Sequence, residues 1–206
     1  NLYNFLFEAC NILRGPVSQD NFKDYITPIL YFKRISDVYD EETQTALEES
    51  GGDEEYASLP EQHRFVIPDG CHWSDVRDRS ENLGAAIVGA MRGIELANPD
   101  TLYGVLSMFS AQKWTDKKNL SDGKIRDLIE HLSTRRLGNN DYPADLMGDA
   151  YEILLPSTFT TVSFTASNPR TLLKIISQSS LPYLFFRTFL NTASVTPPVV
   201  PKITPA

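Results

Sequence analysis

Apolar residues recur every three to four positions through most of the first 152 residues, which is the spacing of one face of an α-helix. The first such stripe is followed by Gly15-Pro16. Gly then Pro is a common helix stop, because Gly accepts left-handed dihedral angles and Pro cannot continue the hydrogen-bond ladder. The pattern predicts an amphipathic helix over residues 2–14, with the apolar members Leu2, Phe5, Leu6, Ala9, Ile12 and Leu13.

A second helical stripe begins near Phe22, and Ser18 or Asp20 could cap its start. Pro28 either kinks this helix or lies in the first turn of its main segment, where a missing N–H costs little. Four residues of the stripe are expected to be core rather than contact surface: Tyr31, Phe32, Ile35 and Tyr39. The acidic residues that follow are unfavourable at a helix C-terminus and predict a solvated, fraying end: Asp40, Glu41, Glu42, Glu48 and Glu49.

The segment 65–70 (Phe-Val-Ile-Pro-Asp-Gly) interrupts the helical pattern and predicts a short extended piece or hairpin closed by a turn. Helical spacing returns over 80–97 and again from Ser121 to a stop at 138–140, and Pro143 would begin a last helix through Tyr151. Small residues inside the third helix would let a neighbouring helix approach closely: Gly84, Ala85, Gly89 and Gly93. The predicted fold is mainly α, an N-terminal helical bundle with one extended insertion.

Charge divides the chain after Glu152. All 27 acidic residues lie at or before this position against 15 basic ones, a net charge of −12, whereas the last 54 residues carry four basic and no acidic side chains. That tail is also rich in Ser, Thr and Pro, which disfavours continuous helix. We therefore predict a helical domain over 1–152 and an irregular tail over 153–206. The acidic body argues against a domain that binds nucleic acid by itself, because Lys and Arg supply most phosphate affinity.

No complete catalytic or metal site is visible in the sequence. Cys71-His72 with His63 is the only cluster of metal-ligand types, and an ordinary loop explains it better than a four-ligand zinc site. A solvated helix end explains the acidic group Asp37, Asp40, Glu41 and Glu42 better than an acid–base pair. Two cysteines without an export signal favour reduced thiols in a cytoplasmic protein. No apolar run reaches the length of a membrane span.

Five short motifs in a fixed order run through residues 5–152. They are Leu13-Arg14-Gly15, the stretch 25–42 (YITPILYFKRISDVYDEE), the segment 65–68 with Trp73, the segment 90–95 with Asn98-Pro99, and the stretch 145–152 (DLMGDAYE). In this order they closely resemble the N-terminal helical domain of the methylation subunit of type I restriction-modification systems.

This resemblance implies an assembly and DNA-clamp domain. In the family it precedes a catalytic domain that binds S-adenosylmethionine and methylates adenine N6 in double-stranded DNA. The implied partners are a specificity subunit, a second methylation subunit and a restriction (motor) subunit. An alternative is a non-catalytic helical module that binds the specificity subunit or another protein, and a third is an unrelated helical scaffold.

The tail departs from the family pattern. The Gly-rich cofactor motif and the Asn-Pro-Pro-aromatic motif expected after Glu152 are absent, and Asn168-Pro169 is followed by Arg170 instead. We therefore expect no catalytic, cofactor-binding or metal-binding residue in this chain and no activity by it alone. We also hypothesise that the tail is out of frame or replaced: one added base before Ile153 allows Tyr-Leu-Ile, the family-like continuation.

Contacts to DNA or to a partner are predicted from two basic groups. An exposed basic loop with an aromatic residue can contact phosphates, although simple solvation of such a loop is the commoner explanation. The residues are Lys113, Trp114, Lys117 and Lys118 in one group and Arg135 and Arg136 in the other.

Overall fold

The computed structural model describes residues 2–106, 114–115, 120–142, 148, 150 and 154. Within these residues there are seven α-helices and no β-strand, which confirms the predicted mainly α class. The predicted irregular tail lies outside the described residues, apart from Leu154. The helices are α1 (Leu2–Leu13), α2 (Phe22–Ser50), α3 (Glu54–Ala57), α4 (Trp73–Arg77), α5 (Leu83–Ala97), α6 (Pro99–Leu102) and α7 (Asp122–Ser133).

Helix α1 ends as its sequence predicts. Gly15 takes a left-handed φ of +103°, and the amide of Val17 returns to the carbonyl of Leu13 at 3.1 Å. The apolar stripe of α1 packs against α7 and α2, and Leu6, Ala9 and Leu13 have no exposed surface. The beginning of the chain is thereby fixed to its most distant described helix.

Helix α2 is a single continuous helix, so Pro28 does not divide it. The predicted caps are wrong: Ser18 makes no side-chain cap bond, and a short 3-10 helix (Gln19–Asn21) leads into α2 through backbone bonds. The helix ends at Gly51, whose φ of +75° places it in the left-handed region. The helix therefore runs well beyond the acidic residues at 40–42, which lie in its interior rather than at its end.

The segment 65–70 is extended and closed by a turn, as predicted, but the described chain pairs it with no strand. The side-chain amide of Asn98 takes the place of a strand partner. It accepts from the amide of Val66 at 2.9 Å and donates to the carbonyl of Val66 at 2.8 Å. The same amide donates to the carbonyl of Ile94 at 2.6 Å, so one buried side chain joins this segment to the end of α5.

The small residues of α5 allow close approach by residues outside helices and, at Gly84, by a neighbouring helix. A Cβ at Gly84 would overlap the main-chain carbonyl of Trp114, and one at Gly93 would overlap the sulfur of Cys71. At Gly89 a Cβ would meet no atom within 4 Å. The predicted close approach is therefore confirmed at two positions, and at Gly84 the predicted helix partner is also present, because Ile125 of α7 lies 3.3 Å from the added carbon.

Helix α7 begins where predicted and stops earlier. Ser121 caps it by accepting from the amide of Lys124 at 3.4 Å, but its last residue is Ser133 rather than a residue near Gly138. The predicted helix from Pro143 to Tyr151 falls largely outside the described residues. Ala150 and Leu154 are described and belong to the core.

One apolar core contains residues of every described α-helix except α3. Tyr31, Phe32 and Ile35 are buried in it and Tyr39 is partly buried, as predicted. Among the helices described, none combines the length and apolarity needed to cross a membrane.

Candidate functional site

Four charged side chains of α2 are buried on one face of the helix, and two of them, Asp37 and Glu41, belong to the acidic group that was predicted to be solvated. Lys33 and Arg34 are adjacent, Asp37 follows them by four and three residues and Glu41 lies four residues further on, and each exposes less than a tenth of its surface. Residues with this spacing lie on the same side of a helix. We call this group the α2 clamp, because Arg34, Asp37 and Glu41 bind the loop 137–140 after α7 and Lys33 pairs with Asp37.

Arg34 holds the carbonyl groups of the loop. Its guanidinium donates to the carbonyls of Leu137 and Gly138, the latter at 3.2 Å, and to the side-chain oxygen of Asn139 at 2.8 Å. Burial lowers the pKa of this guanidinium, and the nearby carboxylate of Glu41 opposes the shift. Arginine stays protonated in proteins, so the loop carbonyls face a permanent positive charge.

Two carboxylates hold the amide groups of the same loop. Asp37 accepts from the amide of Leu137 at 2.7 Å, and Glu41 accepts from the amide of Asn139 at 2.7 Å and more distantly from that of Asn140. Asp37 also pairs with Lys33 at 2.5 Å. The clamp thus binds both donors and acceptors of the loop, whose own backbone bond runs from the amide of Tyr142 to the carbonyl of Gly138 at 3.1 Å.

Gly138 makes this arrangement sterically possible. A Cβ at position 138 would overlap the carboxylate of Glu41. The glycine that was predicted to end a helix therefore serves a different purpose, which is to let a buried carboxylate approach the loop backbone.

The clamp suits structural fixation better than acid–base chemistry. Its oxygen and nitrogen atoms are engaged with one another or with groups of the loop 137–140. Buried ion pairs add little net stability compared with apolar residues, and their best-attested role is to specify one arrangement. The clamp accordingly fixes the register in which the chain leaves α7.

The remaining two acidic residues differ from the clamp. Glu42 pairs with Arg64 at 3.0 Å and accepts from its amide at 2.9 Å, which ties α2 to the segment before Phe65. Asp40 is exposed. Loss of hydration and the charge of Asp37 raise the pKa of Asp40, whereas Arg136 lowers it. The prediction of a solvated acidic group is thus confirmed for Asp40 and wrong for Asp37 and Glu41.

The histidines near Tyr39 join helix α2 to the loop 59–72. The ring of His63 stacks on Tyr39 with centroids 3.8 Å apart, and that of His72 meets Tyr39 edge-on at 5.2 Å. His63 also bridges the hydroxyl of Thr43 at 2.8 Å and the carbonyl of Leu59 at 3.1 Å. No grouping of three or more potential metal ligands occurs among the residues that the structure describes.

The sequence that forms α1 to α7 matches a known family over nearly its whole length. A family model described as the HsdM N-terminal domain matches residues 2–132. The chain belongs to this family. HsdM is the methylation subunit of type I restriction-modification systems, so the resemblance seen in the sequence motifs is confirmed. A comparison with curated proteins gives no match.

The match to the HsdM N-terminal domain ends one residue before the end of α7. The loop that the α2 clamp holds begins five residues further on, and Leu137, Ala150 and Leu154 all belong to the core. The packed region thus extends past the matched residues. The clamp lies between the residues that match the family and the part of the chain that follows them.

The structure describes only some of the predicted contact residues of this HsdM N-terminal domain. Lys113, Lys117 and Lys118 lie outside the described residues. Trp114 is only 1% exposed, and its ring meets Tyr25 edge-on at 5.6 Å. The expectation of an exposed aromatic residue is therefore wrong for Trp114, because this side chain fills the core.

The two arginines after α7 differ in their surroundings. The guanidinium of Arg135 lies 5.1 Å from the ring centroid of Phe5 and donates to the hydroxyl of Tyr142 at 3.3 Å, which gives it a packing role. Arg136 is exposed. Contact of either arginine with DNA or a partner stays a prediction.

Sequence reasoning missed the α2 clamp, although a signal was present. Charged residues at 33, 34 and 37 are embedded within an apolar stripe, so a helix buried on that side must bury them too. What the sequence did not reveal is the partner, since the loop lies about 100 residues further along the chain.

Proposed function

We propose that this chain supplies the assembly and DNA-clamp domain of a type I methylation subunit. In this role it binds the specificity subunit and helps two methylation subunits close around duplex DNA, with the motor subunit joining the full system. The observation that carries the proposal is the match of the HsdM N-terminal domain to residues 2–132.

The α2 clamp supports a role in positioning. It holds the backbone at 137–140, where the chain leaves the matched domain, with buried charges from the central helix. In a methylation subunit, the catalytic domain that binds S-adenosylmethionine would follow. If the chain leaves the helical domain in one fixed conformation, the catalytic domain would have a fixed orientation. The clamp would then position the catalytic domain and take no part in the reaction.

The net charge of residues 1–152 supports a complex in which the other subunits provide most of the DNA contacts. With a net charge of −12 over residues 1–152, the domain is poorly suited to hold DNA alone. We propose that the partners supply most of the phosphate affinity, that this chain adds local contacts such as Arg136, and that the complex works in the cytoplasm. S-adenosylmethionine would bind to the catalytic domain and to no residue named here.

Two measurements test the proposed function. Isothermal titration of the chain with the purified specificity subunit of its own system should show saturable binding, and its absence would remove the assembly role. Incubation of the chain alone with labelled S-adenosylmethionine and DNA should give no methyl transfer. Transfer by this chain would contradict the proposal directly.

A separate experiment tests the hypothesis that the tail after Glu152 is out of frame. Sequencing the source DNA around codon 153 shows whether the tail is in frame, and an intact reading frame would contradict the hypothesis.

A further inference from the structure

Arg136 is an exposed arginine whose neighbours in the chain are held by the fold. Before it, Thr134 donates to a carbonyl in the last turn of α7 from its amide at 3.1 Å and from its hydroxyl at 2.7 Å. The guanidinium of Arg135 lies 5.1 Å from the ring centroid of Phe5. After it, Leu137 has no exposed surface. The backbone at Arg136 is therefore fixed from both sides, while the side chain is exposed.

The α2 clamp holds both backbone polar groups of the residue that follows Arg136. The carboxylate of Asp37 accepts from the amide of Leu137 at 2.7 Å, and the guanidinium of Arg34 donates to the carbonyl of Leu137. Hydrogen bonds to charged groups are the stronger kind in proteins. Because the amide of Leu137 belongs to the peptide group that joins it to Arg136, the clamp sets the direction in which the chain presents Arg136.

The charge of Arg136 has no ion-pair partner among the residues that the structure describes. It interacts at longer range with Asp40, which lies one turn after Asp37 on α2 and is also exposed. Arg135 differs, because its guanidinium donates to the hydroxyl of Tyr142 at 3.3 Å. Arg136 is therefore the arginine of this pair that can accept an anion from outside, with Asp40 as a carboxylate that opposes the approach of that anion.

A backbone phosphate suits this position. Arginine presents its donors in a planar fork that matches the oxygens of a phosphate. A side chain on a fixed backbone loses less conformational entropy when it binds. Phosphate contacts set the position of a protein on DNA without reading the base sequence. Such a contact fits a domain that closes around DNA while another subunit recognises the target.

Resting on the proposed function, we propose that the α2 clamp positions Arg136 to bind a backbone phosphate of the duplex. Asp37 and Arg34 are positioning residues, because they are buried and act through the backbone of Leu137. Arg136 alone makes the contact. The clamp therefore has a second consequence besides fixing the chain that leaves α7.

The test is a double-mutant cycle on duplex DNA binding by the complex of the full chain with the specificity subunit of its own system. Fluorescence anisotropy measures the affinity at several salt concentrations. Arg136→Ala should weaken binding and lower the slope of log affinity against log salt by about 0.9, the loss of one phosphate contact. Asp37→Ala should weaken binding about threefold, because a side chain on a loose backbone loses more conformational entropy on binding. Asp37→Ala should cause no further loss in a chain that already carries Arg136→Ala.

Asn98→Ala is the matched control, because it removes buried hydrogen bonds that hold the segment at Val66 and not the loop after α7. It should leave the DNA affinity unchanged. Thermal melts show whether each variant is folded. If Asp37→Ala does not fold, Glu41→Ala takes its place in the cycle. That variant leaves the pair of Lys33 and Asp37 intact and releases the same loop, so its effect should also depend on Arg136.

The contrary outcomes are distinguishable. No DNA binding by the unaltered complex removes the proposed function itself. Unchanged affinity and salt slope in Arg136→Ala remove only the phosphate contact. Equal losses from Asp37→Ala with and without Arg136 overturn the positioning role, since a merely structural effect does not depend on Arg136. If Arg136→Ala weakens binding of the specificity subunit in isothermal titration and leaves the salt slope of DNA binding unchanged, Arg136 contacts a protein and the proposal is wrong.

Discussion

The carboxylate of Glu41 occupies the space that a Cβ at Gly138 would need. A helix side chain and a loop almost 100 residues away are thus fitted to each other at the level of single atoms. The fit lets Glu41 accept hydrogen bonds from the amides of Asn139 and Asn140. Loss of this fit would free the loop from α2 and would leave the carboxylate of Glu41 without its hydrogen-bond donors.

We therefore predict that Gly138→Ala lowers the free energy of unfolding by about 2–4 kcal/mol, because Glu41 must move and lose its partners. Urea denaturation measures the effect. The matched control is Gly89→Ala, where no atom lies within 4 Å of the added carbon in an exposed part of a helix. This control should raise stability by about 0.5–1 kcal/mol. Equal effects at the two glycines would contradict the close fit at position 138.

Arg34→Met should destabilise the protein by about 3–5 kcal/mol, since it removes the cation near the buried carboxylate of Glu41 and leaves the carbonyls of Leu137 and Gly138 without their donor. Hydrogen exchange should locate the change, with faster exchange at the amides of Leu137 and Asn139. The comparison is Arg77→Met, which breaks a well-exposed ion pair to Glu130 and should change stability far less than Arg34→Met does. Unchanged protection of the loop amides in Arg34→Met would refute the role of the clamp.

The sequence predicted local structure better than long-range contacts. The stop of α1, the start of α7 and the turn at Asp69-Gly70 follow from residue types within a few positions. The clamp and the core position of Trp114 depend on neighbours distant in the chain, which periodicity does not identify. Aromatic residues among lysines suit either a binding loop or a core anchor, and only the packing against Tyr25 decides between them.

The two arginines after α7 should respond differently to substitution. Arg136→Glu should leave stability nearly unchanged and should weaken DNA binding by the assembled complex, with a shallower dependence of affinity on salt, because one phosphate contact is lost. Arg135→Ala should lower the free energy of unfolding by about 1 kcal/mol, because it removes the contact with the Phe5 ring. Titrations of DNA at several salt concentrations, beside urea denaturation, measure both effects. An unchanged salt slope in Arg136→Glu would remove this residue from the DNA interface. Lys117→Glu and Lys118→Glu provide the same test for the other predicted basic group.

Cys10 should be an unreactive thiol in the folded protein. Burial raises its pKa from 9.0 to about 11, and the charge of Arg14 opposes this only in part. Because the thiolate is the reactive form, labelling of Cys10 at pH 8 should be about a hundredfold slower in the folded chain than in urea. The unfolded state ionises first as pH rises, so this group should reduce stability between about pH 9 and 11 and have no such effect below that window. A disulfide-exchange reagent in a Cys71→Ser background measures the rate, and denaturation at several pH values measures the stability. Equal labelling rates in the folded and unfolded chains would show that Cys10 is not shielded in the way that its contacts with the core imply.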